Sequence, residues 1–305
     1  MESVHFPAAF THTIIDLFGD KGLAWLDRLP RLIAECEQRW SLTVLPPFSL
    51  SYNYVAPAIR SDGVEVVLKL GVPNKELFTE IAALRLYEGR GICKLLNAVP
   101  DQGLLLLERL KPGKMLASLA DDQKATSIAA QVMRQLWRPA PPEHPFPTLA
   151  QWTFGLKKLR PQFGGTTGPF PAELVDRALN LFEELISSST ETVLLHGDLH
   201  HYNILTAERQ PWLALDPKGV VGDPCYEVGA LFYNPEGLLD RPNLQQVLAR
   251  RADQLSEELG FDRQRVLGYG IAQAVLSAWW SYEDHGHGWE PTLVIADHLT
   301  NLLGK

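Results

Sequence analysis

Cysteine is scarce in this chain: Cys36, Cys93 and Cys225 are the only three among 305 residues. Their odd number and wide spacing support neither a disulfide framework nor a zinc site, and a reducing cytoplasm is the simplest compartment. Long apolar runs are missing too. No stretch approaches the length that spans a bilayer, and the opening MESVHFPAAF lacks the basic start and apolar core of a secretory leader. The expectation is a soluble cytoplasmic protein with no membrane partner. Basic charge is short, with 28 Lys and Arg against 36 Asp and Glu and a net charge of -8. Nucleic-acid binding is dominated by Lys and Arg contacts to phosphates, so no nucleic-acid partner is expected. Internal repeats, low-complexity tracts and the HExxH spacing of a helical zinc site are absent as well. His196, His200, His201, His285 and His287 therefore read as loop and surface-turn residues. Nothing selects between a monomer and a homodimer.

What the chain does have is 46% apolar residues, enough at this length to fill two adjoining cores. It also has one segment with chemically informative spacing. In LLHGDLHHYNIL, Asp198 stands five positions before Asn203, and Asp216 follows thirteen residues later at the end of the apolar run in WLALDPKG. An Asp before an Asn in a loop ordinarily makes a turn through side-chain bonds to backbone. The order Asp, four residues, Asn, strand, Asp, with apolar runs on both sides, is instead that of a phosphoryl-transfer site. There one aspartate takes the proton of an attacking hydroxyl, while the asparagine and the second aspartate hold magnesium against the phosphates of ATP. Magnesium is a hard cation that keeps several waters, so one carboxylate and one amide oxygen suffice as protein ligands.

Such a site needs an upstream lysine, a helix carboxylate and an apolar hinge. VEVVLKL, residues 64–70, is β-branched and places Lys69 near the end of a strand, as a ligand for the α- and β-phosphates. Taken singly, Lys69 reads equally well as a strand lysine that snorkels to solvent. In PNKELFTEIAALRLYEGRG, Pro73 and Asn74 are start signals, Leu77, Ile81 and Leu84 follow at helical spacing, and Gly89 ends the helix. Glu80 is displaced from that apolar set and could reach across to Lys69, with Glu76 as its competitor one turn earlier. GLLLLERL, residues 103–110, has the profile of a buried strand stopping in a charged link, so Glu108, Arg109 and Leu110 are candidates to line an adenine. The GxGxxG loop with which protein kinases cover phosphates is absent. FSLSYNYVAPAI, between two expected strands, offers Ser49, Ser51 and Asn53 as phosphate donors, or is a hairpin turn with no ligand.

These pieces together resemble the aminoglycoside phosphotransferase-like kinases, and within them the aminoglycoside/hydroxyurea antibiotic resistance kinases, which include streptomycin 6-kinases. The resemblance covers nearly the whole chain and rests on LSYNYV, VLKLG, EIAALRLYEGRG, LLLERLKPG, LLHGDLHHYNIL and ALDPKGVVGDPCYEVG. HGD in place of HRD marks small-molecule kinases. The resemblance implies Asp198 as catalytic base, Asn203 and Asp216 as Mg2+ ligands, Lys69 as phosphate ligand and Glu80 as its partner. It implies that His196 braces the catalytic loop and that Asp223 and Glu227 support it. Relatives often carry Gly where this chain has Tyr202, so a bulky ring narrows the site or simply packs.

The fold class expected is α+β: a two-lobed protein-kinase-like fold, with an antiparallel five-stranded sheet and helices in an ATP-clamping lobe over 1–110, and a mainly helical lobe over 111–305. Before the sheet, DKGLAWLDRLPRLIAECEQRW reads as helix with Pro30 marking a break. In the second lobe Asp121 or Asp122 caps a helix, and the proline- and glycine-rich RPAPPEHPFP and FGGTTGPFP are loops, the second a candidate border of the acceptor site. From Asp216 onward acids outnumber bases thirteen to seven, which suits a cationic small-molecule acceptor or serves only solubility. Pocket candidates are Glu283, Asp284 and Glu290 with Trp279, Trp280 and Trp289 nearby, because carboxylates and aromatic faces suit guanidinium and ammonium groups. Trp279 and Trp280 cannot both face the same way on a helix, so at least one belongs to the core. The activity expected is ATP- and Mg2+-dependent O-phosphorylation of an aminoglycoside such as streptomycin. The rivals are a metabolic kinase of sugars or amino alcohols and a catalytically silent nucleotide-binding protein.

Overall fold

The structure, a computed structural model, describes residues 6–304. The chain divides into two compact units, Met1–Lys111 and Pro112–Lys305. In the first, helices α1 (Ala8–Phe18) and α2 (Asp20–Trp40) precede strands β1 (Leu42–Val44), β2 (Tyr54–Arg60) and β3 (Glu65–Leu70), helix α3 (Lys75–Tyr87), and strands β4 (Leu95–Val99) and β5 (Leu104–Glu108). The five strands form one antiparallel sheet in the order β1-β2-β3-β5-β4.

Alternation along the strands decides which residues meet which helices. Ala56 of β2, Leu68 and Leu70 of β3 and Leu104 of β5 pack in one core with Phe10, Ile14, Trp25, Leu29, Leu32 and Cys36 of α1 and α2. Lys69, between Leu68 and Leu70, therefore projects from the opposite face. Close packing of α1 on α2 depends on Gly22, where a Cβ would lie 2.4 Å from the Ile14 carbonyl oxygen. The expected break at Pro30 does not occur: α2 runs unbroken through it. Pro30 forgoes one backbone bond, but buried Trp25 and Leu29 on one side and Leu32 and Cys36 on the other pin both halves into the same core. The sequence FSLSYNYVAPAI is also divided differently from expectation. Tyr54–Arg60 is β2 itself, and only the part up to Asn53 is loop.

In the second unit, β6 (Pro112–Met115) leads to α4 (Asp122–Leu136), the short α5 (Leu149–Thr153) and α6 (Leu159–Gln162), and α7 (Ala172–Ser187). Strands β7 (Val193–Leu195), β8 (Ile204–Ala207), β9 (Trp212–Ala214) and β10 (Val220–Gly222) follow, then α8 (Leu244–Leu259), α9 (Arg263–His285) and α10 (Glu290–Leu303). The strands form a β6-β8-β9 sheet and a β7-β10 ribbon. The centre of this unit is α9, which is buried almost without interruption from Val266 to Trp279. No described helix is long and apolar enough to cross a membrane.

At the start of α4 the two adjacent aspartates have separate roles. Asp121 caps the helix by accepting from the Lys124 N–H at 3.1 Å. Asp122 instead receives Arg241 at 3.1 Å, Arg251 at 2.5 and 3.1 Å, and Arg250. Arg251 is fully buried, and it also donates to the Asn234 carbonyl at 2.8 Å and to that of Leu231. Burial alone would raise the Asp122 pKa, but the hydrogen bonds and charges of Arg251 and Arg250 outweigh it and hold the carboxyl far below the usual range.

Candidate active site

In the first unit the projection of Lys69 away from the α1–α2 core brings its amine to α3. Lys69 Nζ donates to Glu80 Oε1 at 2.7 Å and Oε2 at 2.8 Å, and both residues are buried. The helix is started by Asn74, whose side chain accepts from the Leu77 N–H at 2.9 Å. Glu76 lies in the first turn. Ser51 and Asn53 lie in the loop entering β2, with Ser51 exposed and the Asn53 side chain packed on Gly71. At the end of β5 the Glu108 carboxylate accepts from the Lys94 N–H at 2.9 Å. The Arg109 guanidinium covers the Phe48 ring at 4.7 Å, and Leu110 is buried.

In the second unit, residues 196–203 link β7 to β8, and a network of backbone bonds fixes the path of this segment. Glu227, on a 3-10 helix spanning Pro224–Leu231, accepts from the His196 N–H at 2.7 Å and the Gly197 N–H at 3.0 Å. Burial raises its carboxyl pKa to about 7, while those N–H groups pull the other way. His196 is buried completely and shares a bond of 2.8 Å between its Nε2 and the Leu215 carbonyl. Its Nδ1 accepts from the Asp198 N–H at 3.3 Å. A ring that donates at Nε2 and accepts at Nδ1 is neutral, in keeping with a pKa that burial pushes down to about 4.

Asn203 closes the loop by donating from Nδ2 to the Asp198 carbonyl at 3.0 Å. A carbonyl can only accept, so the amide nitrogen must point there, leaving Oδ1 as the group available to a cation. The Asn203 carbonyl receives the Leu215 N–H at 3.0 Å, so that Asp216 follows directly after a backbone bond to Asn203. Asp216 adopts φ 62°, an uncommon conformation for a non-glycine residue. An amide oxygen and a carboxylate are oxygen donors of the hard kind that Mg2+ takes. The Asp198 carboxylate is 37% exposed, with His200 Nε2 at 3.7 Å from its Oδ1.

Other expected site residues lie elsewhere. Asp223 is bound to α9. Its Oδ2 receives Arg265 Nε at 2.9 Å and the Tyr269 hydroxyl at 2.8 Å, and its Oδ1 caps the 3-10 helix at Cys225 N. Trp279 is 1% exposed among Phe163, Phe170 and Tyr282, so it belongs to the core. The ring left half-buried is Trp280, packed edge-on against Trp152 at 5.3 Å. Glu283, Asp284 and Glu290 are exposed. Burial raises the Glu283 pKa, against the charge of Lys158. The sequence reading missed Tyr233 and Ser277. The Tyr233 pKa is raised by burial and then by the charge of Asp198, with the Ser277 side chain pulling the other way. A lone Tyr and a lone Ser on separate elements carry no motif, so only the fold reveals them.

Comparison with known proteins places this geometry in a family. The family model described as aminoglycoside/hydroxyurea antibiotic resistance kinase matches residues 40–285. The streptomycin 6-kinase of Streptomyces glaucescens is 33% identical over 303 residues, covering 95% of each chain. The hydroxyurea phosphotransferase of Kitasatospora aureofaciens is 33% identical over 286 residues, covering 92% of this chain and 81% of the relative. Among solved structures, a choline kinase from Streptococcus pneumoniae superposes with a TM-score of 0.64 at 12% identity, covering 91% of this chain and 99% of that one. A thermostable mutant of an aminoglycoside phosphotransferase, in ternary complex with ADP and hygromycin B, gives 0.62 at 15% identity, covering 90% and 98%. At such identities these structures show the fold alone, which is protein-kinase-like. With its sequence matched over most of its length and its fold shared, the chain belongs to the aminoglycoside/hydroxyurea antibiotic resistance kinases.

Proposed function

We propose that this chain transfers the γ-phosphoryl group of ATP to a hydroxyl of a cationic small molecule, an aminoglycoside such as streptomycin, and so inactivates it. The observation that carries this reading is the 196–203 segment. Its backbone is tied down by Glu227, His196 and Asn203, while the Asp198 carboxylate remains partly open to solvent. A rigid loop presenting one accessible carboxylate suits a general base, since such a base must be held within hydrogen-bond reach of the proton it takes.

In this mechanism Asp198 accepts the proton of the acceptor hydroxyl as its oxygen attacks the γ-phosphorus in line, and ADP departs. Lys69, oriented by Glu80, neutralises charge on the α- and β-phosphates; Ser51 and Asn53 cover the phosphates, and Glu108, Arg109 and Leu110 line the adenine. Asn203 Oδ1 and Asp216 would hold Mg2+, which supplies charge neutralisation at the phosphate oxygens. His196 and Glu227 act on the base only by holding its loop, and Asp223 only by anchoring α9. Positioning and charge stabilisation account for most of such catalysis.

ATP consumption measured with streptomycin, other aminoglycosides, choline-like amino alcohols and simple sugars tests the reading. Selective turnover with an aminoglycoside is expected. Turnover confined to sugars or amino alcohols would make it a metabolic kinase, and nucleotide-induced thermal stabilisation without any turnover would make it a silent binding protein. A second prediction concerns Glu80→Gln, which removes the carboxylate charge that the buried Lys69 amine donates to. The KM for ATP is expected to rise by about tenfold or more, with the KM for the acceptor unmoved. An unchanged KM for ATP would remove Lys69 and Glu80 from the phosphate site.

A further inference from the structure

The two halves of the 196–203 segment are held in different ways. At its start, Glu227 accepts from the His196 and Gly197 N–H groups, and His196 Nε2 meets the Leu215 carbonyl. The second half folds into a turn with bonds of its own. The Asn203 N–H donates to the His200 carbonyl at 2.9 Å, the Tyr202 N–H to His200 Nδ1 at 3.3 Å, and Asn203 Nδ2 to the Asp198 carbonyl. Such bonds set the shape of a turn, but its position depends on ties from outside. The His201 carbonyl accepts the Ala117 N–H at 3.1 Å, the Asn203 carbonyl the Leu215 N–H, and the Tyr202 hydroxyl the Glu236 N–H at 3.0 Å.

The Tyr202 tie is made by a side chain, and it reaches thirty-four residues along the sequence. A strut is useful only if its far end is fixed. Two residues before Glu236, the Asn234 carbonyl accepts from Arg251 at 2.8 Å and Asn234 Nδ2 donates to the Ala230 carbonyl at 3.0 Å. Arg251 is fully buried and paired with Asp122. At the near end the Tyr202 ring packs edge-on against His200 at 5.8 Å, and His200 Nε2 lies 3.7 Å from Asp198 Oδ1. Tyr202 thus connects the turn beside the base to the arginine network between α4 and α8. Narrowing of the site and simple packing, the two roles open to a bulky ring at this position, use the ring and not the hydroxyl.

We infer that Tyr202 is a positioning residue for phosphoryl transfer: its hydroxyl, held by the Glu236 N–H, fixes the 200–203 turn and, through the bond of Asn203 to the Asp198 carbonyl, the place of the base. Its effect on turnover rests on the kinase reading, while the strut itself is a property of the loop. A general base must sit within hydrogen-bond reach of the proton it takes, and a small misplacement of a reacting group costs rate out of proportion to its size. A residue that acts only through Asp198 changes turnover and leaves the binding of both substrates alone. A ring that narrows the site would instead change the KM of the acceptor.

Two variants of the full-length protein test this: Tyr202→Phe removes the hydroxyl and keeps the ring, and Tyr202→Gly removes both. With streptomycin as acceptor, kcat is expected to fall about three- to tenfold in Tyr202→Phe, the worth of one hydrogen bond, and at least as far in Tyr202→Gly. Both KM values and the thermal midpoint of Tyr202→Phe should match wild type. Hydrogen exchange read by mass spectrometry follows the strut without turnover. Fragments covering 196–203 should exchange about three- to tenfold faster in Tyr202→Phe, with fragments of α9 unchanged. Unchanged exchange in 196–203 would overturn the strut. Wild-type kcat in Tyr202→Phe would overturn the positioning role: with a lowered thermal midpoint the bond is structural only, and with a shifted KM for streptomycin in Tyr202→Gly the ring narrows the site. If the wild-type protein phosphorylates no acceptor, the positioning role falls with the kinase reading, and the exchange rates alone decide whether the strut stands.

Discussion

Replacing Asp198 with alanine is expected to lower turnover by about 10²–10⁴-fold, the usual contribution of a positioned general base, while leaving the KM for ATP close to wild type. The structure gives a specific reason to expect a folded variant. Residue 198 is bound into its loop through its backbone, with its N–H donating to His196 Nδ1 and its carbonyl accepting from Asn203 Nδ2. Removing the carboxylate disturbs neither bond. It also relieves Glu227, whose pKa is raised in part by the Asp198 charge, so the brace under the loop should become easier to ionise. Steady-state kinetics with both substrates varied, supported by a thermal melt, would check this. Full activity in Asp198→Ala would remove Asp198 as the base.

The second large effect is structural. Asp122→Asn leaves Arg241, Arg250 and Arg251 around an uncharged amide, and Arg251 is fully buried. Breaking a buried ion pair by removing one partner typically costs about 3–5 kcal/mol, because the remaining charge stays desolvated. Urea unfolding at neutral pH should show a loss of this order, and turnover of the residual folded protein should be affected far less than in Asp198→Ala. The pH dependence has a definite sign. The folded-state pKa of Asp122 lies below its unfolded value of 3.8, so its stabilisation is complete above that value. It is lost as the pH falls from there through the folded value, because the unfolded chain takes up the proton first. The gap between wild type and Asp122→Asn should hold steady from neutral pH down to about pH 4 and narrow below it. A gap that is absent at neutral pH would show that the three arginines find other partners.

Much of the fold was legible because local periodicity and tertiary packing agree. In β3 the two-residue alternation separates Lys69 from Val66, Leu68 and Leu70, while the spacing of Leu77, Ile81 and Leu84 in α3 leaves Glu76 and Glu80 as possible partners, between which the family resemblance favours Glu80. The interval from Asp198 to Asn203 is legible because the two residues bond to each other within one short loop, Asn203 Nδ2 donating to the Asp198 carbonyl. Pro30 shows the limit of local rules: its missing donor was read correctly, but the four buried side chains flanking it decide the outcome. Asp122 was read as one of two possible caps, whereas its partners lie more than a hundred residues away, a separation no local pattern encodes. Helix geometry required Trp279 and Trp280 to face different ways, and only packing against Phe163 and Phe170 could say which one is core. Asp223 and Glu227, four residues apart, were given one shared role; the fold sends one carboxylate to Arg265 and the other to the backbone of the catalytic loop.

The central claim is tested most directly by identifying the product. Wild-type protein incubated with Mg2+, ATP labelled at the γ-phosphate and streptomycin should transfer the label to streptomycin as a phosphomonoester, one per ADP released, and Asp198→Ala under the same conditions should transfer almost none. Release of the label only as inorganic phosphate, with streptomycin recovered unmodified, or equal transfer by Asp198→Ala, would contradict it.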